Sequence, residues 1–242
     1  MMRRIVILPD VHLDLEAPRP YLVARRFIEE YKPDEIILLG DFLDCQSLSH
    51  WNESKRLKME GRRFKLEMYA ANKELDILSK HTSKIVYCIG NHEDWCNQYV
   101  ESHPEMEGLI ELEGQLRLKE RNIKAIPLNQ LYGVGERGKV YFTHGLYVNE
   151  FHAKKHLSRL GCNIVYGHTH NYQTYQLNQK MQEPYCAWGL GCLCDHEPEY
   201  LRGKPANWLN QFAICEVTDR MFSVTPINII DNKCIYNGKI YQ

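Results

Sequence analysis

Over the first two-thirds of the chain, short runs of β-branched and aliphatic residues alternate with longer amphipathic stretches. The runs Arg4–Leu8, Glu35–Leu39, Lys84–Ile89, Lys139–Thr143 and Asn163–Tyr166 have the length and residue types of buried strands. Between them, about Pro20–Tyr31, about Glu60–Lys80 and about Asn149–Leu160 carry apolar residues at helical spacing. Strands alternating with helices predict an α/β layered core. After residue 172 the pattern changes to short strands alone: Tyr172–Leu177, Pro184–Trp188, Gln211–Val217, Ser223–Ile229 and Lys233–Tyr241. Asn237-Gly238 inside the last of these is the dipeptide of a tight type I′ hairpin. The C-terminal third is therefore expected to form an antiparallel sheet packed on the first. The stretch 94–138 is the least regular and is expected to form a cap or lid. No repeat or Gly/Ser linker interrupts the chain, so 1–242 is expected to be a single domain.

Composition narrows the function classes. With 30 Lys+Arg against 31 Asp+Glu the formal net charge is −1, which excludes a chain-wide polyelectrolyte but not a local basic patch. No apolar run approaches the roughly 20 residues of a membrane span. Ile5-Val6-Ile7-Leu8 is too short for a signal-peptide core and runs straight into Pro9-Asp10. Several of the nine cysteines sit in apolar stretches, as Cys88 and Cys215 do, where a free thiol serves as a small hydrophobe. Cys192 and Cys194 form the one close pair and lack the spacing of a structural zinc site. The expectation is a soluble, cytoplasmic chain with reduced thiols, no membrane association and no obligate protein partner.

The chemistry lies where the apolar runs stop. Ile5–Leu8 leads into Asp10-Val11-His12, and Ile36–Leu39 into Gly40-Asp41-Phe42-Leu43-Asp44. Ile85–Ile89 leads into Gly90-Asn91-His92-Glu93, Val140–Phe142 into Thr143-His144-Gly145, and Ile164–Tyr166 into Gly167-His168-Thr169-His170. In an α/β sheet the carboxyl ends of the strands open onto one crevice, so these clusters should converge. Together they offer Asp10, His12, Asp41, Asn91, His144, His168 and His170, too many donors for one metal ion and a reasonable number for two. Mixed carboxylate and imidazole donors suit manganese, iron, zinc or nickel, and not calcium, which prefers oxygen alone. Two such ions about 3.5–4 Å apart are the recurrent apparatus for in-line attack on phosphorus. One histidine after a strand is ordinarily a hydrogen-bonded loop residue. Five clusters at five strand ends are not explained that way.

This ordered set of motifs resembles the calcineurin-like metallophosphoesterase superfamily, as a small phage- or bacterial-type member. The resemblance spans residues 10 to 170 and implies a four-layer αββα sandwich of two mixed sheets, with a binuclear metal site at the strand carboxyl ends. It also implies residue roles. Asp10, His12 and His170 would hold the first divalent ion, Asn91, His144 and His168 the second, and Asp41 would bridge them, with manganese the first expectation for both. His92 would stabilise the transition state or protonate the leaving oxygen, oriented by Asp44, while a hydroxide activated between the ions attacks.

The substrate is read from departures. Protein phosphatases of this superfamily continue the second motif with Arg-Gly, whose arginine clamps the phosphate, whereas this chain has Asp44-Cys45-Gln46. A dianionic monoester needs that extra charge more than a monoanionic diester does. The expectation is a phosphodiesterase or nuclease acting on nucleic-acid ends or nucleotides; the alternative is a phosphomonoesterase of a small metabolite or nucleotide. Lys55, Arg56, Lys58, Arg62, Arg63 and Lys65 follow the second motif closely. Of these, Arg56 and Arg62 are candidate substrate contacts, although a basic run is ordinarily a solvated face. Trp51 and Trp95 are candidate base-stacking residues or half-buried core residues. Arg202 is a further candidate phosphate contact in the tail segment between Gly191 and Trp208.

Overall fold

The structure, a computed structural model, describes residues 2–136, 139–178, 183–195 and 206–242. The chain runs β1 (Arg3–Leu8), α1 (Arg19–Tyr31), β2 (Glu35–Leu38), α2 (Phe64–Leu78), β3 (Ile85–Cys88), α3 (Asn91–Ser102), α4 (Leu112–Gln115), β4 (Lys124–Ile126), β5 (Tyr132–Val134) and β6 (Val140–Thr143). It continues with α5 (His152–Leu160), β7 (Ile164–Tyr166), β8 (Gln173–Leu177), β9 (Tyr185–Gly189), β10 (Gln211–Val217), β11 (Phe222–Asn228), β12 (Cys234–Tyr236) and β13 (Lys239–Tyr241).

Two mixed sheets result. The first has the order β11-β10-β1-β2-β3-β4, with β1 to β4 parallel; the second has the order β5-β6-β7-β9-β8, with β6, β7 and β9 parallel. Both faces of the first sheet are covered, and the two-residue period of its strands sorts their side chains between two cores. Val6, Leu8, Ile36, Leu38, Tyr87, Phe212 and Ile214 pack against α1 and α2. Ile5, Ile7, Ile37, Leu39, Val86, Ala213 and Cys215 face Val140, Phe142 and Val165 of the second sheet. The outer face of that second sheet, Ile164, Tyr166 and Ala187, is covered by Ala153 and Leu157 of α5. The layers are therefore helix, sheet, sheet, helix, the sandwich the motifs imply.

Local chemistry sets the helices. Tyr21, Ala24, Phe27 and Ile28 give α1 one buried stripe, prolines open it, and Lys32 in a left-handed conformation (φ 51°) ends it. α5 stops at Gly161, φ 61°, the usual left-handed C-terminal position. α2 begins at Phe64, later than the Glu60 expected, because Gly61 at φ 77° breaks the helical path. The basic residues from Lys55 to Arg63 consequently lie on turns and irregular chain, with Lys65 alone on the helix. No helix among the described residues is long and apolar enough to cross a membrane.

Two expectations are corrected. The C-terminal third does not form a sheet of its own. β10 and β11 extend the first sheet antiparallel to β1, β9 lies parallel to β7 in the second, and the β12–β13 hairpin, the turn expected at Asn237-Gly238, packs Cys234 and Tyr241 beside Phe27. The stretch 94–138 also differs from a detached lid: β4 and β5 are edge strands of the two sheets, and Leu112, Leu116, Leu118 and Ile123 are buried in the helix-side core. Its later half is framework because those leucines and isoleucines have more to gain under the sheet than in a mobile cover.

Ile37 is fully buried between the two sheets. Ile37→Ala is expected to lower unfolding free energy by about 2–5 kcal/mol, read from urea denaturation. A change below about 1 kcal/mol would mean the inter-sheet core is not close-packed.

Candidate metal centre

β1, β2 and β3 are parallel neighbours in one sheet, and β6 and β7 are parallel neighbours in the other. Their carboxyl ends therefore open side by side, and the five clusters meet there. The loops turn sharply to do so. Asp10 (φ 41°), His12 (φ 49°), Asp41 (φ 46°), His168 (φ 70°) and His170 (φ 58°) all adopt the left-handed conformation, uncommon for residues with a Cβ and concentrated at functional sites. Gly90 and Gly167 are required by close approach: a Cβ at Gly90 would overlap Asp41, and one at Gly167 would overlap the Asp10 carboxylate.

Two groups of donors form. Asp10, His12 and His170 present ligand atoms within 4.8 Å of one another, and so do Asp41, His144 and His168. In the first group the Nε2 atoms of His12 and His170 are 3.1 Å apart, and His170 Nε2 is 3.3 Å from Asp10 Oδ1. In the second, His144 Nε2 lies 3.0 Å from both Asn91 Oδ1 and His168 Nδ1. Asp41 Oδ2 reaches both groups, at 3.3 Å from His144 Nε2 and 3.8 Å from His12 Nε2. All seven residues expected to hold metal are thus brought together.

The donor chemistry fits a cation. His144 donates Nδ1–H to the Leu39 carbonyl at 3.0 Å, which leaves Nε2 as the lone-pair nitrogen of a neutral ring. That nitrogen faces the oxygens of Asn91 and Asp41, acceptor toward acceptor, and only a proton or a metal ion between them resolves the clash. Without metal the proton takes that place. Burial works against charging His144, but the Asp41 carboxylate outweighs it and raises its pKa to about 9. Burial likewise opposes charge on His12, yet Asp44 and Asp41 raise it to about 10. Against their own burial, the carboxyls of Asp41 and Asp44 are held well below the usual carboxylate range by the surrounding imidazoles, Asp41 by His144 and His92, Asp44 by His12 and His92. His168, buried and next to His144, is pushed down.

His92 stands beside the cluster. Its Nδ1–H donates to the Asp44 carbonyl oxygen at 2.9 Å with Asp44 Oδ1 at 3.2 Å, so Nε2 faces the site, 3.9 Å from Asp41 Oδ2. Asp44 also lies 3.3 Å from His12 Nδ1 and so couples the two rings. Trp95 covers His92 with ring centroids 4.0 Å apart and packs partly into the helix-side core.

The other candidates are dispersed. Arg62 is ion-paired to Asp14 at the rim of the site. Arg56, on a turn, and Trp51, in a short 3-10 helix, are exposed ahead of α2 and do not line the adjoining crevice. Arg202 lies outside the described residues. Cys192 and Cys194 approach His170 from behind, with Cys194 Sγ 3.9 Å from its Nδ1, a three-donor group that sequence spacing did not reveal. Glu93 was visible only as part of a motif. Its carboxylate, on the first turn of α3, accepts the N–H groups of Gly90, Asp41 and Leu43 and the hydroxyl of Tyr87. The acid at the third helical position is a capping signal that could have flagged it. Trp208, whose ring is 4.2 Å from that of His170, figured in the sequence only as the end of the tail segment, with no role of its own.

The sequence profile of calcineurin-like phosphoesterases matches residues 3–212. The Gene 54 proteins of Mycobacterium phages L5 and D29 are 21% and 22% identical to the chain, each over the full length of both. Among solved structures, a Vps29 single mutant from Entamoeba histolytica superposes with a TM-score of 0.53 at 12% identity, covering 96% of this chain and 97% of that one. Vacuolar Protein Sorting 29 from Cryptosporidium parvum gives 0.52 at 14% identity, covering 99% and 94%. At those identities the structural likeness speaks for the fold alone.

Two tests follow from the geometry. The raised pKa values of His12 and His144 exceed the 6.5 of an ordinary histidine, so in metal-free protein their stabilisation is complete below pH 6.5 and is lost as pH rises through about 9–10. The melting temperature of metal-stripped protein should fall across that interval, and that of metal-loaded protein much less; a flat metal-free profile would show that the rings are not held as cations. Glu93→Gln turns an amide donor toward backbone donors and should cost about 2–4 kcal/mol in denaturant titrations.

Proposed function

The chain belongs to the calcineurin-like phosphoesterase family of metal-dependent phosphoester hydrolases, and on that premise we propose that it cleaves phosphodiesters of nucleotides or nucleic-acid ends. In this reading Asp10, His12 and His170 would hold one divalent ion and Asn91, His144 and His168 the other, with Asp41 shared between the two groups, manganese the expected metal and iron, zinc or nickel suited to the same donors. The observation that carries the diester reading is the charge of the crevice beside the cluster. Its described lining includes Asp14, Glu16, Asp44 and Asp195 and no lysine or arginine, while Arg62 is tied to Asp14. A monoester dianion would bring a second negative charge with no lysine or arginine among the described lining to meet it; a diester brings one. Exposed Lys55, Arg56, Arg63 and Lys65 on the neighbouring segment favour a nucleic-acid or nucleotide substrate by long-range attraction.

The bound ions would supply Lewis-acid charge on the phosphate oxygens and water acidic enough to attack at neutral pH. The chain's own residues do the rest. Asp44 fixes the His92 ring through Nδ1, which leaves Nε2 to give a proton to the departing oxygen. Trp95 restrains the other face of that ring. Asp41 is itself held by Glu93 through its N–H and accepts the His92 N–H at 2.9 Å, so the bridging carboxylate and the proton donor share one frame.

The deciding experiment compares bis-p-nitrophenyl phosphate with p-nitrophenyl phosphate, using metal-stripped protein with and without Mn²⁺. Metal-dependent preference for the diester is expected. Preference for the monoester would replace this reading with a small-molecule phosphatase, with Arg62 released from Asp14 as its phosphate clamp. His92→Ala is expected to retain metal but lose about 10²–10⁴-fold in turnover of a diester with a poor, high-pKa leaving group, the usual worth of a proton donor. Asp41→Asn should drop metal stoichiometry below two in elemental analysis. Full turnover by the first variant, or two ions retained by the second, would remove the corresponding assignment.

A further inference from the structure

A crevice of about 490 Å³ adjoins the donor cluster, with His12, Asp44 and His170 in its lining. That volume lies within the about 300–1,000 Å³ typical of pockets for small organic ligands. Trp208 lines it, its indole edge-on to the His170 ring at 4.2 Å, and the apolar side chains of Leu15 and Pro18 share the same space. Glu16 and Asp195, both exposed, offer carboxylate oxygens that accept hydrogen bonds and give none. The crevice therefore combines a flat aromatic surface with a surplus of acceptors.

Resting on the diester reading above, we infer that this crevice is a nucleoside subsite, in which Trp208 stacks on the base of the nucleotide whose phosphate lies at the metal centre, and Glu16 and Asp195 accept from the base's amino and ring N–H groups. Three features of the crevice select this occupant. The acidic lining repels any further phosphate, so the group that enters is uncharged and the reacting phosphate is the terminal charge on that side. The acceptors ask for a donor-rich ring, which amine-bearing bases supply and an acyl chain does not. The indole adjoins a candidate metal ligand directly, so a ring stacked there is one sugar away from the phosphate, the reach of a nucleotide. Stacking on an aromatic side chain tolerates any base, while the acceptors favour adenine, guanine and cytosine over thymine and uracil.

The test is equilibrium binding to metal-loaded protein by isothermal titration calorimetry, with AMP, GMP, UMP and ribose phosphate as probes. AMP and GMP are expected to bind about tenfold or more tightly than ribose phosphate, the size of one base–aromatic stack, with UMP between them. Trp208→Ala should bring the AMP-to-ribose-phosphate ratio close to one, and Trp208→Phe should restore most of it. Glu16→Gln combined with Asp195→Asn should reduce the preference for AMP over UMP while leaving the advantage over ribose phosphate. The ratio is internally controlled, so a general loss of phosphate affinity through a disturbed His170 does not imitate the effect. Equal affinities for AMP and ribose phosphate in the wild type, a ratio that survives in Trp208→Ala, or no binding by any of the four probes would overturn the subsite. If bis-p-nitrophenyl phosphate is hydrolysed and the ratio is one, the subsite alone falls. If the diester is not hydrolysed and AMP still outbinds ribose phosphate through Trp208, the subsite stands and the diester reading falls.

Discussion

The site depends on one buried carboxylate. Glu93 receives the N–H groups of Gly90 at 2.8 Å and of Asp41 and Leu43 at 2.9 Å, together with the Tyr87 hydroxyl at 2.7 Å. Each of its oxygens takes two donors, so none of its hydrogen-bonding capacity is left over. Burial, and then the charge of Asp41, raise its pKa, while the Leu43 N–H and the Tyr87 hydroxyl act in the opposite direction and favour the anion. The bonds tie the loop after β2, the strand β3 and the start of α3 to a single point. Asp41 then faces the histidines because its own backbone cannot move, and Gly90 is glycine because the Asp41 loop passes where a Cβ would stand.

Around that point the chain accepts strain to aim its side chains. A left-handed residue with a Cβ costs roughly 1–2 kcal/mol, and five of the seven candidate ligands adopt that conformation. The strands beneath make this tolerable. β1 is buried on both faces, and the loop beyond it is held by bonds the strain cannot easily break: the His168 N–H donates to both Asp10 oxygens at 2.9 Å, and the Leu193 N–H donates to the Asp10 carbonyl oxygen at 3.0 Å. A rigid two-sided sheet allows an irregular, energetically costly edge, which a loop on a softer scaffold would relax away.

Periodicity made the framework legible because the same alternation that hides β1 to β3 between two cores appears along the sequence as apolar runs with polar stops. What periodicity lacks is the identity of each strand's neighbour. Gln211–Val217 reads as a strand in any sheet; that it lies antiparallel to β1, with Ile5 opposite Cys215, follows from shape and burial across the chain. The direction of β9 beside β7 was equally hidden. Residues acting through side-chain stereochemistry at strand ends, the Asp and His clusters, could be collected in advance because each announces itself beside a strand. Glu93 and Trp208 could not be given roles: one acts through backbone donors from two other segments, the other through a neighbour 4.2 Å away that is distant in sequence.

Charge is divided over the molecule in a way that constrains what the site accepts. The exposed basic turns from Lys55 to Arg63 lie outside the crevice and act at range, which salt screens over about 10 Å at 0.1 M. Inside, among the described residues, positive charge is left to the imidazoles and to whatever the candidate donors hold, because Arg62 at the rim is paired with Asp14. On the proposed diester reading, an approaching polyanion would be attracted by the outer segment and repelled by the acidic walls, except for the single phosphate that meets the candidate metal centre and the uncharged group attached to it. Selectivity of this kind would need no clamp around the phosphate; it would come from counting charges, and it would let a chain that keeps every candidate metal donor do without the arginine that follows the second motif in protein phosphatases.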